Sequence, residues 1–169
     1  QDNSLAAGGG TGGTIGYDGI PRSLAIEFDT FQNGAQETAN ELTIQSRGVL
    51  PNSVAPQYSL ASTSGIPNIS DGAIHDVLIR YVGGTLSVFL DDMAAPVLSA
   101  TINLNTWLGL SSGLAYVGLT SATGSAGWEK HEILDWSFAA TEPVAVSNDM
   151  IGAAQELGNL LATDRNAIS

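Results

Sequence analysis

The chain has 169 residues, 43% of them hydrophobic and 13% charged, which is enough apolar content to fill the core of one domain. Seventeen acids against five bases (Arg22, Arg47, Arg80, Lys130, Arg165) leave a net charge of −12. No basic patch offsets phosphate repulsion, so nucleic acid and anionic membrane surfaces are excluded as partners. Cysteine is absent, which excludes a disulfide framework and a thiolate metal site, and no apolar run reaches the length of a membrane span.

The chain opens at Gln1 rather than Met and shows no cleavable signal, so a mature or fragmentary chain is expected. Its first stretch holds a glycine cluster, Gly8-Gly9-Gly10-Thr11-Gly12-Gly13, then Gly16-Tyr17-Asp18-Gly19-Ile20-Pro21. With no strand before it, no helix after it and no Gly-Lys-Ser/Thr ending, the cluster is not a dinucleotide or phosphate loop. From residue types alone it is a flexible loop whose backbone can approach a ligand closely.

The segment Leu24-Ala25-Ile26-Glu27-Phe28-Asp29-Thr30-Phe31-Gln32-Asn33 alternates strictly. Leu24, Ile26 and Phe28 fall on one face of a strand, and Glu27, Asp29, Phe31 and Asn33 on the other. Glu27 and Asp29 lie roughly 6.6 Å apart along such a strand, close enough to repel each other or to share a hard cation. The alternative is a solvated strand face. A loop with Glu37 and Glu41, by themselves ordinary loop acids, leads into a second strand over 42–47. A short third strand is expected near Tyr58, and 66–72 is turn chemistry.

Residues 74–82 and 85–91 flank Gly83-Gly84 as a tight hairpin. A strand over 97–104 follows, then one helical turn at Thr106-Trp107-Leu108-Gly109. Two closing strands are expected over 115–121 and 132–138, with Trp107, Trp136 and Phe138 packed inside and Trp128 exposed to ligand. His75 and His131 lack a partner histidine at ligand spacing and are read as structural hydrogen-bonding groups. From 139 onward comes a linker with Pro143, then a short helical tail carrying Met150, Ala154, Leu157 and Leu161 at helical spacing. The division is therefore a β-sandwich over 1–138 and a linker with helical tail over 139–169. Seven or so strands with glycine turns make the sandwich all-β and antiparallel.

Taken in order, the glycine cluster, Ala25-Ile26-Glu27-Phe28-Asp29-Thr30-Phe31-Gln32-Asn33, Ile44-Gln45-Ser46-Arg47-Gly48 and Ile69-Ser70-Asp71-Gly72 resemble the L-type (legume-type) lectin domain in its bacterial form. The likeness continues through Val88-Phe89-Leu90-Asp91-Asp92, Val117-Gly118-Leu119-Thr120-Ser121-Ala122-Thr123-Gly124 and His131-Glu132-Ile133-Leu134-Asp135-Trp136-Ser137-Phe138. It implies a jelly-roll (concanavalin-like) sandwich that binds a saccharide beside calcium and a transition metal. On that resemblance Glu27 faces the transition metal and Asp29 bridges both ions. Phe31 offers its carbonyl, and Asn33 its side-chain oxygen, to calcium. Glu37 and Glu41 are further candidate ligands. Asn33 also meets the sugar, with backbone at Gly10 and Gly12, the variable loop at Gly124, and Phe31 or Trp128 as a stacking ring.

Where the family has a bridging aspartate this loop offers Gln36 and Glu37, and where it has a histidine stands Glu41. An all-oxygen ligand set favours Ca2+ over a second divalent metal such as Mn2+. The family's sugar-binding aspartate lies upstream of Gln1, so the chain is expected to start inside the domain, with an upstream chain or domain completing the sandwich. The resulting expectation is a calcium-dependent lectin module of a secreted or cell-surface protein, such as an adhesin, and not an enzyme. A structural or assembly domain that keeps the fold without sugar is the first alternative. A glycoside hydrolase is the second, disfavoured because Phe31 occupies the in-line position where a third acid belongs.

Overall fold

The computed structural model describes residues 9–33, 38–110, 113–124 and 129–139. The expected ligand Glu37, the expected stacking ring Trp128 and the helical tail beyond 139 lie outside these residues. The chain divides into two compact units, 1–130 and 131–169. The first carries every strand found among the described residues: β1 (Leu24–Asp29), β2 (Glu41–Ser46), β3 (Ser59–Thr63), β4 (Val77–Val82), β5 (Thr85–Leu90) and β6 (Leu98–Thr101).

The strands form two three-stranded antiparallel sheets, β1-β2-β3 and β4-β5-β6. Period-2 alternation decides which residues face inward. Leu42 and Ile44 of β2 meet Leu86 and Val88 of β5, Leu98 and Ala100 of β6, and Ile102, in one buried cluster. Leu24, Ile26 and Phe28, the apolar face expected for β1, pack at its border. The register pairs Ala25 with Gln45, Glu27 with Thr43 and Asp29 with Glu41, so all six side chains lie on the face turned from that core. Between Ile44 and Gln45 the β2–β3 register shifts by a bulge.

Element boundaries are set by local hydrogen bonds. The hairpin arm β4 begins at Val77 rather than 74, because Asp91 closes the ladder there. Its N–H donates to the Asp76 carbonyl (2.8 Å) and its Oδ1 accepts from the Asp76 N–H (3.0 Å). At the other end Gly83 and Gly84 both take positive φ, as a two-residue hairpin turn demands. The strand expected over 97–104 stops at Thr101, since Asn103 caps a helical turn, α1 (Leu104–Leu108), accepting from the Thr106 N–H at 3.1 Å. Gly109, at φ 60°, ends that turn. Trp107 on it donates its indole N–H to Ser46 Oγ (2.9 Å) but remains 43% exposed.

Two expected strands are corrected. Neither 115–121 nor the described residues of 132–138 form a strand, although both alternate. Alternation supplies a face, but a strand also needs a neighbouring edge to take its backbone groups, and among the described residues neither segment has one. In the second unit Trp136 and Phe138, expected inside, are accordingly exposed.

Candidate functional site

Two depressions lie in the first unit, one of them on the β1 segment and the other beside the glycine loop. The smaller, of about 110 Å³, is floored by the outward face of the β1–β2–β3 sheet. Glu27 and Asp29 line it from β1, Glu41, Thr43 and Gln45 from β2, Ser59 and Ser62 from β3, and Val54 and Pro56 from the preceding loop. The sheet register brings Glu27, Asp29 and Glu41 to one cleft, the last two as a cross-strand pair. Like charges directly opposite one another destabilise a sheet unless something bridges them.

Each carboxylate is oriented. Glu27 is 8% exposed, and its Oε2 accepts from the Tyr17 hydroxyl at 2.6 Å. Burial first, and then this bond to a carboxylate, push the Tyr17 phenol well above its usual range, so it stays a donor. Asp29 Oδ1 accepts from the Phe31 N–H (2.8 Å), which turns the chain as it leaves β1. Glu41 Oε1 accepts from the Thr43 hydroxyl (3.3 Å), and its Oε2 from the Thr38 N–H (3.3 Å) and hydroxyl (3.2 Å). Among the described residues no three Asp, Glu or His side chains gather tightly enough to form a ready metal cluster.

Gln45 completes the cleft wall. It is 3% exposed, and its Nε2 donates to the Val54 carbonyl at 3.3 Å, while its Oε1 has no hydrogen-bond partner among the described residues. Val54 is itself held by its N–H to Asp18 Oδ1 (3.1 Å).

The larger depression, open and about 450 Å³, is lined by Gly9, Gly10, Thr11 and Gly16 on one side and by 119–123 on the other. The Thr120 hydroxyl donates to the Ile15 carbonyl across it (3.0 Å). Gly12, at φ 60°, lies against Gly124, where an added Cβ would sit 3.4 Å from the Gly124 Cα. Gly13 lies against Asn33, and a Cβ there would sit 2.5 Å from Asn33 Oδ1. Asn33 Nδ2 in turn donates to the Phe31 carbonyl at 3.4 Å, while the Phe31 ring is 48% exposed.

Of the residues expected to meet sugar, Gly12, Asn33 and Gly124 are therefore neighbours around one glycine loop, and Gly10 of that loop lines the larger depression. Of those expected to meet metal, Glu27, Asp29 and Glu41 share the smaller cleft, whereas Phe31 and Asn33 are not among the residues that line it. Tyr17 and Gln45 were not singled out from sequence. Tyr17 is ten residues from Glu27 across an irregular turn, which no periodicity reveals. The placement of Gln45 opposite Ala25 needed the β1–β2 register. His75 makes the structural contacts expected of it, with Asp91 and Asp71.

Comparison with known proteins completes the description. The family profile of the Legume lectin domain matches residues 19–151. The chain is 33% identical over 132 residues to a lectin-related protein of Cladrastis kentukea, an alignment covering 74% of this chain and 41% of that protein. It is 30% identical to a lectin of Glycine max over the same shares, and 29% identical over 149 residues to a basic agglutinin of Psophocarpus tetragonolobus, covering 79% and 57%. The chain thus spans about half the length of the curated relatives it matches. No solved structure matches it.

Proposed function

Since the chain belongs to the legume lectin domain family, we propose that it is a carbohydrate-binding module, non-enzymatic and dependent on calcium. The reading extends to the bacterial form of the domain, carried on a secreted or cell-surface protein in an adhesive role. An upstream chain or domain completes the sandwich. The observation that carries it is the meeting of Asn33 with Gly13, and of Gly12 with Gly124, around one glycine loop whose Gly9, Gly10 and Thr11 line an open depression. A sugar hydroxyl there finds an amide that both donates and accepts, and backbone N–H groups with no side chain in the way. The exposed Phe31 ring offers the apolar surface on which a pyranose face stacks.

Calcium is the metal that the donor chemistry suits: the smaller cleft offers carboxylate and hydroxyl oxygens, and two carboxylates face each other across strands. Calcium takes six to eight oxygens in flexible geometry, so it suits donors that stand somewhat apart. Bound there, the ion neutralises the Asp29–Glu41 pair and stiffens the segment leading to Asn33. Glu27, Asp29 and Glu41 are its proposed holders, with Phe31 and Asn33 added from the segment beyond. Glu41 replaces nitrogen with oxygen, so a transition metal is disfavoured.

Calorimetry with calcium, followed by mannose, glucose and galactose, tests this reading. Heat with calcium and with one of the sugars is expected. Asp29→Ala is expected to abolish the calcium heat and the calcium-dependent rise in melting temperature. A melting temperature unchanged by chelator would overturn calcium dependence. The second reading, a structural domain without sugar, is favoured by the absence of a tight three-group cluster among the described residues. Calcium heat without heat from any sugar would establish that reading instead.

A further inference from the structure

We propose that the β4 edge is a self-association surface, through which two copies of this chain pair antiparallel in a closed dimer. Its two-fold axis lies at Leu78, and Asp76 of each copy faces Arg80 of the other. The proposal stands apart from the carbohydrate reading. Among the described residues β4 is the terminal strand of its sheet, and all six of its residues are exposed. Val77, Ile79 and Tyr81 stand opposite Leu90, Val88 and Leu86, so they share a face with core residues. Yet they remain 45%, 46% and 38% exposed. Such a strand offers apolar surface and an open backbone ladder together, which is what a second strand docks on.

Backbone hydrogen bonding limits how two such strands can meet. The Asp91 N–H donates to the Asp76 carbonyl (2.8 Å), so Asp76 already runs in register with β5. Backbone groups alternate sides along a strand, which turns those of Asp76, Leu78, Arg80 and Val82 toward β5. Those of Val77, Ile79 and Tyr81 turn outward, where no described strand takes them. An antiparallel copy must therefore set outward residues against outward residues. A two-fold axis then passes through a residue and not between two.

Charge selects among the registers that remain. An axis at Arg80 sets two guanidinium groups against each other, which is destabilising. An axis at Val77, Ile79 or Tyr81 sets Arg80 opposite Ile74, Leu78 or Val82 and leaves its charge unmatched. With the axis at Leu78, Val77 faces Ile79 and Asp76 faces Arg80, each twice over by symmetry. Asp76 and Arg80 are both exposed, and side chains lie closest in directly opposed pairs that exchange no backbone bonds. Two opposite-charge pairs thus flank an apolar centre. Each copy carries a net charge of −12, so the dimer tightens as salt screens the general repulsion. Pairing consumes β4 of both copies, and association stops at two. The dimer presents two glycine loops, which raises avidity for a surface bearing many saccharides.

Sedimentation velocity of the full chain, over a concentration series at about 0.01 M and about 0.15 M sodium chloride, tests the proposal. A monomer–dimer equilibrium that tightens at the higher salt is expected. Arg80→Asp and Asp76→Arg each set like charges opposite one another, and each is expected to weaken the dimer about tenfold or more. The double variant carrying both exchanges restores the opposite pairs and is expected to regain native association. Native association in a single variant would overturn the proposal, as would a double variant no tighter than the singles. The Arg80 guanidinium lies 4.9 Å from the Phe89 ring centroid, so where Arg80→Asp does not fold, Asp76→Arg decides alone. A chain that stays monomeric throughout sinks the dimer and leaves the edge to other strands of the same domain. Growth past two copies sinks it too, as open-ended aggregation. Neither result bears on the sugar titrations.

Discussion

His75 sits between two carboxylates, with Nδ1 2.9 Å from Asp91 Oδ2 and Nε2 3.2 Å from Asp71 Oδ1. Both contacts are hydrogen bonds only when both ring nitrogens carry protons. The bond to Asp91 first, then that to Asp71, raise the imidazole above its ordinary 6.5. Asp71 is lowered, chiefly by the Ala73 N–H and then by His75, and Asp91 is lowered chiefly by His75. The signs follow from linkage. The histidine's contribution to stability is complete below its unfolded value and is lost as pH rises through the raised one. The aspartates' contribution is present above about 3.8 and is lost on acidification. The cluster therefore ties the 71–76 loop to the end of β5 most firmly between about pH 4 and 6.5. Melting curves of the native chain and of His75→Ala should differ most in that window and converge in alkaline solution. A constant difference across pH would show that the ring acts through packing alone.

At the scale of elements, the hairpin β1–β2 does two jobs with one alternation, an apolar face toward the core and an oxygen-rich face away from it. That much was legible in the sequence, because period 2 is a local property that a strand cannot escape. Gly83-Gly84 was equally legible, since the turn and its strands are contiguous. What stayed hidden depends on distant pairing. The Tyr17 hydroxyl reaches Glu27 around a glycine turn, the Val54 carbonyl fixes Gln45, and 115–121 alternates yet pairs with no strand among the described residues. The glycine loop lies between these cases: a backbone able to approach a ligand closely was legible, but the particular pairs Gly12–Gly124 and Gly13–Asn33 came from the fold. Gly13→Ala should drive Asn33 from its place, since the new Cβ would fall within 3 Å of both Oδ1 and Cγ. Sugar affinity at saturating calcium is expected to drop by about tenfold or more, equivalent to roughly 1.4 kcal/mol. Unaltered affinity in a sugar titration would remove Asn33 from the binding surface.

For the molecule as a whole, the two sheets hide their shared interior well but leave β4 bare. All six residues of Val77–Val82 are exposed, and among the described residues β4 is an edge strand of its sheet. Its single charged side chain, Arg80, lies with its guanidinium 4.9 Å from the Phe89 ring centroid. An apolar rim with unpaired backbone groups attracts others of its kind, a hazard that proteins ordinarily blunt with charge or proline. Here the restraint comes from far away, from the excess of twelve negative charges over the chain. Such repulsion reaches about 30 Å at 0.01 M salt and only about 3 Å at 1 M. Colloidal behaviour should therefore run opposite to that of a protein held apart by short-range hydration. Light scattering is expected to rise as sodium chloride is added at neutral pH, and Ile79→Lys is expected to suppress the rise. Dilute buffer, rather than physiological saline, is the medium in which this chain keeps its distance from itself.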